Sequence, residues 1–178
     1  SFEMIPDAAI DMIRAENTDI RDPNPSTAAW RVLCEVSMAR ETHARDVVET
    51  ALEAAFEADL ISDAIIAESL TQAQTFWTIR ETIPLSKRAY GTAINHDVSV
   101  PVSKIPSFLD QTATAITERF PGTEIIAFGH VGDGNLHYSA CEAKSAAPQL
   151  SQHEAAITEI VHRQAMEHGG SISAEHGV

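Results

Sequence analysis

The chain has 178 residues and a formal net charge of -14, with 44% hydrophobic and 21% charged residues. A chain of this length can bury a substantial core, and a single domain is the natural expectation. So acidic a protein is poorly suited to nucleic acid or to an anionic membrane surface, because both require clustered cations. No apolar run approaches the ~20 residues that a membrane-spanning helix needs.

The N-terminal sequence "SFEMIPDAAI" has neither an initiator Met nor the basic-then-apolar pattern of a secretory signal. It begins on what reads as a strand already under way, which indicates a piece of a longer protein. Cys34 and Cys141 form no CxxC or other metal-ligand spacing, and two cysteines supply no disulfide framework. We therefore expect reduced thiols and a cytoplasmic protein.

In chain order, "PDAAIDMIRAEN" has helical spacing, with Pro6 near its first turn, and the Asp-Pro and Asn-Pro pairs that follow mark a loop. The alternation in "AAWRVLCEVSMA" predicts a strand. An acidic amphipathic helix is expected from Glu41 to Leu60, and "DAIIAES" is typical of a short second strand. The next predicted helix runs from Leu70 to about Arg88 and is interrupted near Pro84.

In the second half, "AINHDVSVPV" predicts a third strand that Pro101 ends. Ser103 is a suitable N-cap for the helix that follows, and Pro121 and Gly122 end that helix. "TEIIAFGH" and "LHYSA" predict two strands joined by a turn, and a last helix is expected over about 149–168. Together these elements predict an α+β, ferredoxin-like domain, with helices packed on one face of an antiparallel sheet.

The segment "FGHVGDGNLHYSA" places two histidines around a Gly-Asp-Gly-Asn turn. Asp-Gly is a strong hairpin signal, because both central positions of the favoured turn need a positive φ. If Asp133 and Gly134 form a two-residue loop, His130 lies directly opposite His137, with the Cβ atoms about 4.5–5.5 Å apart. Such a pair can bind one divalent ion. The alternative is an unprotonated pair that is merely tolerated beside a polar rim.

Two other stretches carry candidate functional groups. In "SAEHGV", Glu175 and His176 are adjacent, so on an extended chain one could complete a metal site while the other faces substrate. In "FWTIRETIP", Arg80 stands beside aromatics in an apolar stretch. Arg80 is either a surface residue paired with Glu81 or another acid, or a clamp for a substrate carboxylate, which guanidinium binds bidentately.

Taken together, "RETIP", "HDVSVPVSKIP", "GHVGDGNLHY" and "SAEHGV" resemble the C-terminal, substrate-binding domain of FAD-linked 2-hydroxyacid dehydrogenases. This group, of the vanillyl-alcohol oxidase type, includes D-lactate dehydrogenases, the glycolate oxidase flavoprotein subunit and D-2-hydroxyglutarate dehydrogenase. The resemblance spans nearly the whole chain. It implies oxidation of a D-2-hydroxy acid to the 2-keto acid by hydride transfer to FAD. Because no glycine-rich pyrophosphate loop is present, FAD would be bound by another domain of the same protein.

The resemblance also implies roles for individual residues. The implied ligands of a divalent metal, usually zinc, are His130, His137 and Glu175. His176 matches the general base that takes the proton of the substrate's 2-hydroxyl, and Arg80 matches the arginine that holds the substrate's carboxylate. Asn135 lies within "GHVGDGNLHY", as a turn residue or a substrate-side residue.

The chain departs from the hydroxyglutarate branch at three positions. Asn95 stands where that branch has a lysine, Ser139 where it has an asparagine, and Pro84 where it has a hydroxyl-bearing residue. These changes put the second carboxylate of hydroxyglutarate in doubt and leave the particular 2-hydroxy acid open. Asn95 is kept as a substrate-side candidate, and His96 beside it as a weaker one.

Two other functions remain open from the residues alone. A metal-dependent hydrolase could use the same three ligands with His176 as its base. A non-catalytic, ferredoxin-like binding module would make the histidines incidental. The expected partners of the dehydrogenase are a small 2-hydroxy acid and the FAD-binding domain of the same protein; no nucleic acid and no transmembrane segment are expected.

Overall fold

A computed structural model of the chain describes residues 1–16, 20, 22–24, 28–38, 41–144 and 148–174. The described part contains five strands: β1 (Phe2–Pro6), β2 (Trp30–Cys34), β3 (Gly91–Ser99), β4 (Glu124–His130) and β5 (Asn135–Ala143). Its five α-helices are α1 (Asp7–Glu16), α2 (Glu41–Glu57), α3 (Leu70–Tyr90), α4 (Ile105–Arg119) and α5 (Glu154–Glu167).

The strands form one five-stranded antiparallel sheet in the order β2-β1-β4-β5-β3. The longest pairing joins β3 to β5, from Gly91 opposite Ala143 to Ser99 opposite Asn135. The predicted α+β class, with an antiparallel sheet, is therefore confirmed. On the other side of β5, β4 pairs with it from Glu124, opposite Cys141, onward.

Helices cover both faces of this sheet rather than the one face expected from the sequence. Helices α4 and α5 share a buried cluster with Ala127 and Tyr138. Helices α1 and α3 share another with Phe128 and Cys141. Successive residues of a strand point to opposite faces, so apolar residues at successive positions of β4 need cover on both sides. Helix α3, which packs on the second face, carries part of the candidate site.

Helix α3 runs without interruption through Pro84, which the sequence predicted to interrupt it. Proline has no N–H, so the carbonyl of Arg80 loses its usual hydrogen-bond donor. Ile79 and Ile83, which precede Pro84, are buried against α1, and Ser86 and Lys87, which follow it, are also buried. Packing before and after the proline keeps the helix in one piece.

Two boundaries also differ from the prediction. The stretch 63–69 forms no strand; it leads into α3, and Ser69 caps that helix by accepting a hydrogen bond from the N–H of Gln72. Helix α4 begins after a 3-10 turn over Val102–Lys104, so Ser103 lies inside the turn and does not cap the helix. Pro106 in the first turn of α4 needs no N–H partner there.

Cys34 is exposed and Cys141 is buried, and both are free thiols in the structure. The cytoplasmic location stays a prediction. In the part of the chain that the structure describes, every helix is too short or too polar to cross a bilayer.

Candidate functional site

Two cations lie on the buried face of α3. Arg80 and Lys87 are seven residues apart, which is about two helical turns and places both side chains on one face. Both are buried. The guanidinium carbon of Arg80 lies 4.6 Å from the centroid of the Phe128 ring, and Nζ of Lys87 lies 5.1 Å from it. The Phe128 ring of β4 therefore makes cation–π contacts with both side chains.

Glu3, on β1, is a fully buried carboxylate that joins Arg80 to His130. Nε of Arg80 donates to Oε2 of Glu3 at 2.8 Å. Nδ1 of His130 lies 2.5 Å from Oε1. Glu3 and His130 meet because they are directly opposite in the antiparallel pairing of β1 with β4. Arg80 is thus a buried residue whose acid partner is Glu3 rather than Glu81.

The charge state of Glu3 follows from these contacts. Burial acts to raise the pKa of this carboxyl. The hydrogen bond and the charge of Arg80, with smaller effects of Ser1 and His130, outweigh burial and bring the pKa below its ordinary value. Glu3 is therefore ionised at neutral pH, and it holds Arg80 through Nε alone, which leaves the two Nη nitrogens outside this ion pair.

The two histidines of the β4–β5 hairpin are not directly opposed, so the predicted pairing is wrong. Phe128 is the residue opposite His137. The connection is longer than two residues: a 3-10 turn over Val131–Asp133 is followed by Gly134 at φ 77°. The register shift is two positions, which preserves the face of the sheet. The imidazole centroids of His130 and His137 are consequently still only 6.1 Å apart.

Close packing fixes this turn at Gly134. A Cβ added there would lie 2.0 Å from the carbonyl oxygen of Val100, and its positive φ disfavours other residues. The N–H of Val100 donates to the carbonyl of Gly134 at 3.0 Å. The N–H of Asn135 reaches a carboxylate oxygen of Asp133 at 3.2 Å. The Asp-Gly signal correctly located the turn, although it did not define its length.

Each histidine has its Nδ1 directed at a carboxylate. For His130 that group is Glu3; for His137 it is Asp97, whose Oδ1 lies 3.5 Å away and which is its direct partner on β3. Nε2 lies across the ring from Nδ1, so it is the nitrogen that each ring would offer to a metal ion. Within the described residues, no group of three or more His, Cys, Asp or Glu side chains is arranged to hold a metal.

The predicted third ligand, Glu175, and the predicted base, His176, lie outside the described residues. The residues just before them run along β3: Ser171 forms an antiparallel bridge with Ser99. The N–H of Ala174 donates to the carbonyl of Asp97 at 3.2 Å.

A second polar group lies on the same face of the sheet, where Asn95 is directly opposite Ser139. Nζ of Lys87 donates to Oδ1 of Asn95 at 2.8 Å and to Oγ of Ser139 at 2.5 Å. The hydroxyl of Ser139 also donates to Oδ1 of Asn95, at 2.9 Å. Asn95 and Ser139 are therefore joined by one lysine.

The remaining candidates, Asn135 and His96, lie on opposite faces of the sheet. Asn135 is buried two positions before His137 on β5, hence on the same face, and its Oδ1 has no hydrogen-bond partner within the described part of the chain. His96 points the other way and contacts Thr158 Oγ1 at 3.0 Å. Burial lowers the pKa of His96 to about 4. His96 is therefore a core residue and not part of the site.

Sequence reasoning missed Glu3 and Lys87. The role of Glu3 could not be predicted from the sequence alone, because an acid near the start of a short strand usually faces solvent. For Lys87 the sequence does give a signal. It repeats the position of Arg80 two turns later, with Ile83 between them, so the apolar stripe of α3 contains two cations.

The sequence profile of the family described as FAD linked oxidases, C-terminal domain, matches residues 1–178. The mitochondrial D-2-hydroxyglutarate dehydrogenase of Arabidopsis thaliana is 31% identical over 178 residues, which cover 100% of this chain and 31% of that protein. The D-2-hydroxyglutarate dehydrogenase of Stutzerimonas stutzeri (strain A1501) is 30% identical over 183 residues, covering 100% and 38%. A D-lactate dehydrogenase of Anaerostipes hadrus is 32% identical over 139 residues, covering 78% and 29%. The chain thus spans about a third of the length of these relatives.

Proposed function

Because the chain belongs to the FAD linked oxidases, as their C-terminal domain, we propose that it binds the substrate of an FAD-dependent dehydrogenase that oxidises a D-2-hydroxy acid to the 2-keto acid. One observation carries the proposal: Arg80 and His130 are bonded to opposite oxygens of one buried carboxylate, that of Glu3. This arrangement holds the guanidinium of Arg80, a group that binds carboxylates, close to the imidazoles of His130 and His137.

Arg80 binds and orients the substrate's 1-carboxylate. Its Nε is held by Glu3, and its Cζ is held over the Phe128 ring. The guanidinium is therefore fixed in position before substrate arrives, and its Nη nitrogens are the donors that remain for an incoming carboxylate. A bidentate contact of this kind also helps an acidic protein accept an anion.

His176 is the proposed general base, which accepts the proton of the 2-hydroxyl as the C–O double bond forms. The backbone bond from Ala174 to Asp97 supports this role, because consecutive Cα atoms are only about 3.8 Å apart. Glu175 and His176 thus follow directly on a residue fixed beside Asp97, the neighbour of His137. Asn135, whose buried Oδ1 has no hydrogen-bond partner among the described residues, is a further acceptor proposed to face the substrate hydroxyl.

We also propose a divalent metal held by His130, His137 and Glu175, the last of which lies outside the described residues. Both rings direct Nδ1 at a carboxylate and so present Nε2, the arrangement usual for metal-bound histidines. Two imidazoles and one carboxylate suit zinc or a similar ion. Such an ion would act as a Lewis acid that lowers the pKa of the substrate hydroxyl.

Bound FAD supplies the hydride acceptor, and we assign its binding to another domain of the full-length protein. The length of the relatives supports this assignment, since the chain covers only about a third of them. What this chain contributes is the orientation of Cα, through the carboxylate contact, and the acceptance of the hydroxyl proton.

The test is a substrate screen of the purified full-length protein with enantiomerically pure 2-hydroxy acids and an electron-accepting dye. The protein is expected to be yellow and to reduce the dye with D-2-hydroxy acids but not with their L enantiomers. A colourless full-length protein that hydrolyses esters or amides would overturn the proposal in favour of a metal-dependent hydrolase.

A further inference from the structure

Lys87 is a buried cation whose two hydrogen-bond partners among the described residues are neutral. Its side chain is 7% exposed, and Nζ donates to the amide oxygen of Asn95 and to the hydroxyl of Ser139. Within the described ranges, no carboxylate lies within ion-pair distance of Nζ. By contrast, the nearby Arg80 has the carboxylate of Glu3.

The positive charges near Lys87 make a buried ammonium without an acidic partner still less favourable. Burial lowers the pKa of Lys87; the Cys141 thiol opposes this effect, while the charges of Arg80 and Arg88 add to it. Three cations are thus gathered on α3 in a chain with a net charge of -14. A buried ammonium without a counter-ion is strongly unfavourable. An anion bound beside Nζ would remove that cost.

A cavity is available beside this group. It is lined by Pro84, Lys87, Arg88, Gly91, Ala93 and Asn95, between the last turns of α3 and β3. Pro84, Arg88 and Asn95 of this lining are exposed, so the cavity opens to solvent. Asn95, which is exposed, forms its rim, whereas Lys87 is a buried part of its wall. The volume, about 370 Å³, is ample for a carboxylate with its methylene chain.

We propose that Lys87 binds the second, distal carboxylate of a 2-hydroxy dicarboxylic acid, with Asn95 and Ser139 positioning its Nζ. This inference rests on the proposed function, in which Arg80 takes the 1-carboxylate. The two cations flank one aromatic ring, at 4.6 and 5.1 Å from its centroid. A short dicarboxylic acid can therefore contact both, while a monocarboxylic acid leaves Lys87 without an anion.

The experiment compares acids that differ only at the distal end, using the full-length flavoprotein that contains this chain. The probes are D-2-hydroxyglutarate, its distal monomethyl ester and D-lactate. For the unaltered protein, kcat/KM should be ~10- to 100-fold higher for the diacid than for its ester, as expected for a hydrogen bond between charged groups. Lys87→Met should remove most of that preference, mainly by raising KM for the diacid, and should change D-lactate oxidation less than about twofold.

Lys104→Met is the matched control, since Lys104 is an exposed lysine at the start of α4; it should leave all three values unchanged. The comparison of diacid and ester in the unaltered protein needs no variant, so it holds even if Lys87→Met does not fold. Oxidation of D-lactate with no preference for the diacid would overturn the role of Lys87 and leave the proposed function intact. Equal losses for D-lactate and the diacid in Lys87→Met would make Lys87 structural. If no 2-hydroxy acid is oxidised, both proposals fall.

Discussion

Nδ1 of His130 lies 2.5 Å from the carboxylate of Glu3, its direct partner across β1 and β4. This contact fixes the ring orientation of His130, and the same carboxylate holds Arg80. Glu3, which is fully buried, therefore positions two groups of the candidate site. Its removal is expected to affect stability and substrate binding together.

Glu3→Gln keeps the shape of the side chain but removes its charge, which leaves the buried Arg80 without a counter-ion. We expect the free energy of unfolding of the 178-residue chain to fall by about 3 kcal/mol, the usual scale for breaking a buried ion pair. Urea denaturation followed by circular dichroism measures this change. Glu118→Gln, on the exposed face of α4, is the control and should stay within about 0.5 kcal/mol of the parent. A Glu3→Gln chain as stable as the parent would show that Arg80 is satisfied by other groups.

Arg80→Lys retains the charge but loses the planar fork and the Nε contact with Glu3. KM for the oxidised 2-hydroxy acid should rise ~10- to 100-fold, with a smaller change in kcat, because the lost contact is made to a carboxylate that does not react. Steady-state kinetics of the full-length flavoprotein provide the measurement. Arg119→Lys, at the end of α4, is the matched control. An unchanged KM for several acids would mean that Arg80 serves the fold alone.

The two classes of histidine are expected to separate in a metal analysis. His130→Ala should lose both the bound ion and turnover, since it removes a proposed ligand. His176→Ala should retain the ion but lose most turnover, by ~100- to 10,000-fold, as is usual for a general base. Metal content of the full-length protein by mass spectrometry, alongside kcat, distinguishes them. If His176→Ala turned over at nearly the parental rate, the base would have to be another group.

How much of this could be predicted depended on whether a contact is local or crosses the fold. Local patterns correctly gave the α+β class, the helical periodicity of α1 and the position of the β4–β5 turn. The pairing of His130 with His137 was wrong, because it depended on loop length, and the 3-10 turn before Gly134 lengthens the connection. His130 and His137 still lie on the same face of the sheet, because a shift of two positions does not change the face to which a side chain points.

Contacts between segments that are far apart in the chain could not be predicted from the sequence. Glu3 meets Arg80 across 77 residues of chain, and nothing in the first strand identifies its partner. The continuity of α3 through Pro84 likewise depends on packing against α1, which local propensity does not encode. Lys87 could have been recognised as the second cation in an apolar stripe, but its partner Ser139 follows only from the pairing of β3 with β5.

The last prediction concerns His96, in the core between β3 and α5. Burial lowers its pKa to about 4 from 6.5, and the neighbouring His162, at a ring distance of 5.8 Å, adds to the effect. Below pH 6.5 the unfolded chain binds a proton at this residue that the folded chain does not. Folding stability therefore falls as the pH falls from 6.5 towards 4, and this contribution levels off once the folded form is also protonated.

Between about pH 7 and about pH 5 this residue should contribute a loss of roughly 2 kcal/mol in the free energy of unfolding. The measurement is urea denaturation of the chain across this range, compared with His96→Gln, which keeps a polar group near Thr158 but does not titrate. Glu3 does not confuse the comparison, since its pKa lies below 4.5 and it is present in both proteins. The variant should show the shallower pH dependence. Parallel curves for the two proteins would mean that His96 binds its proton equally well in the folded and unfolded chains.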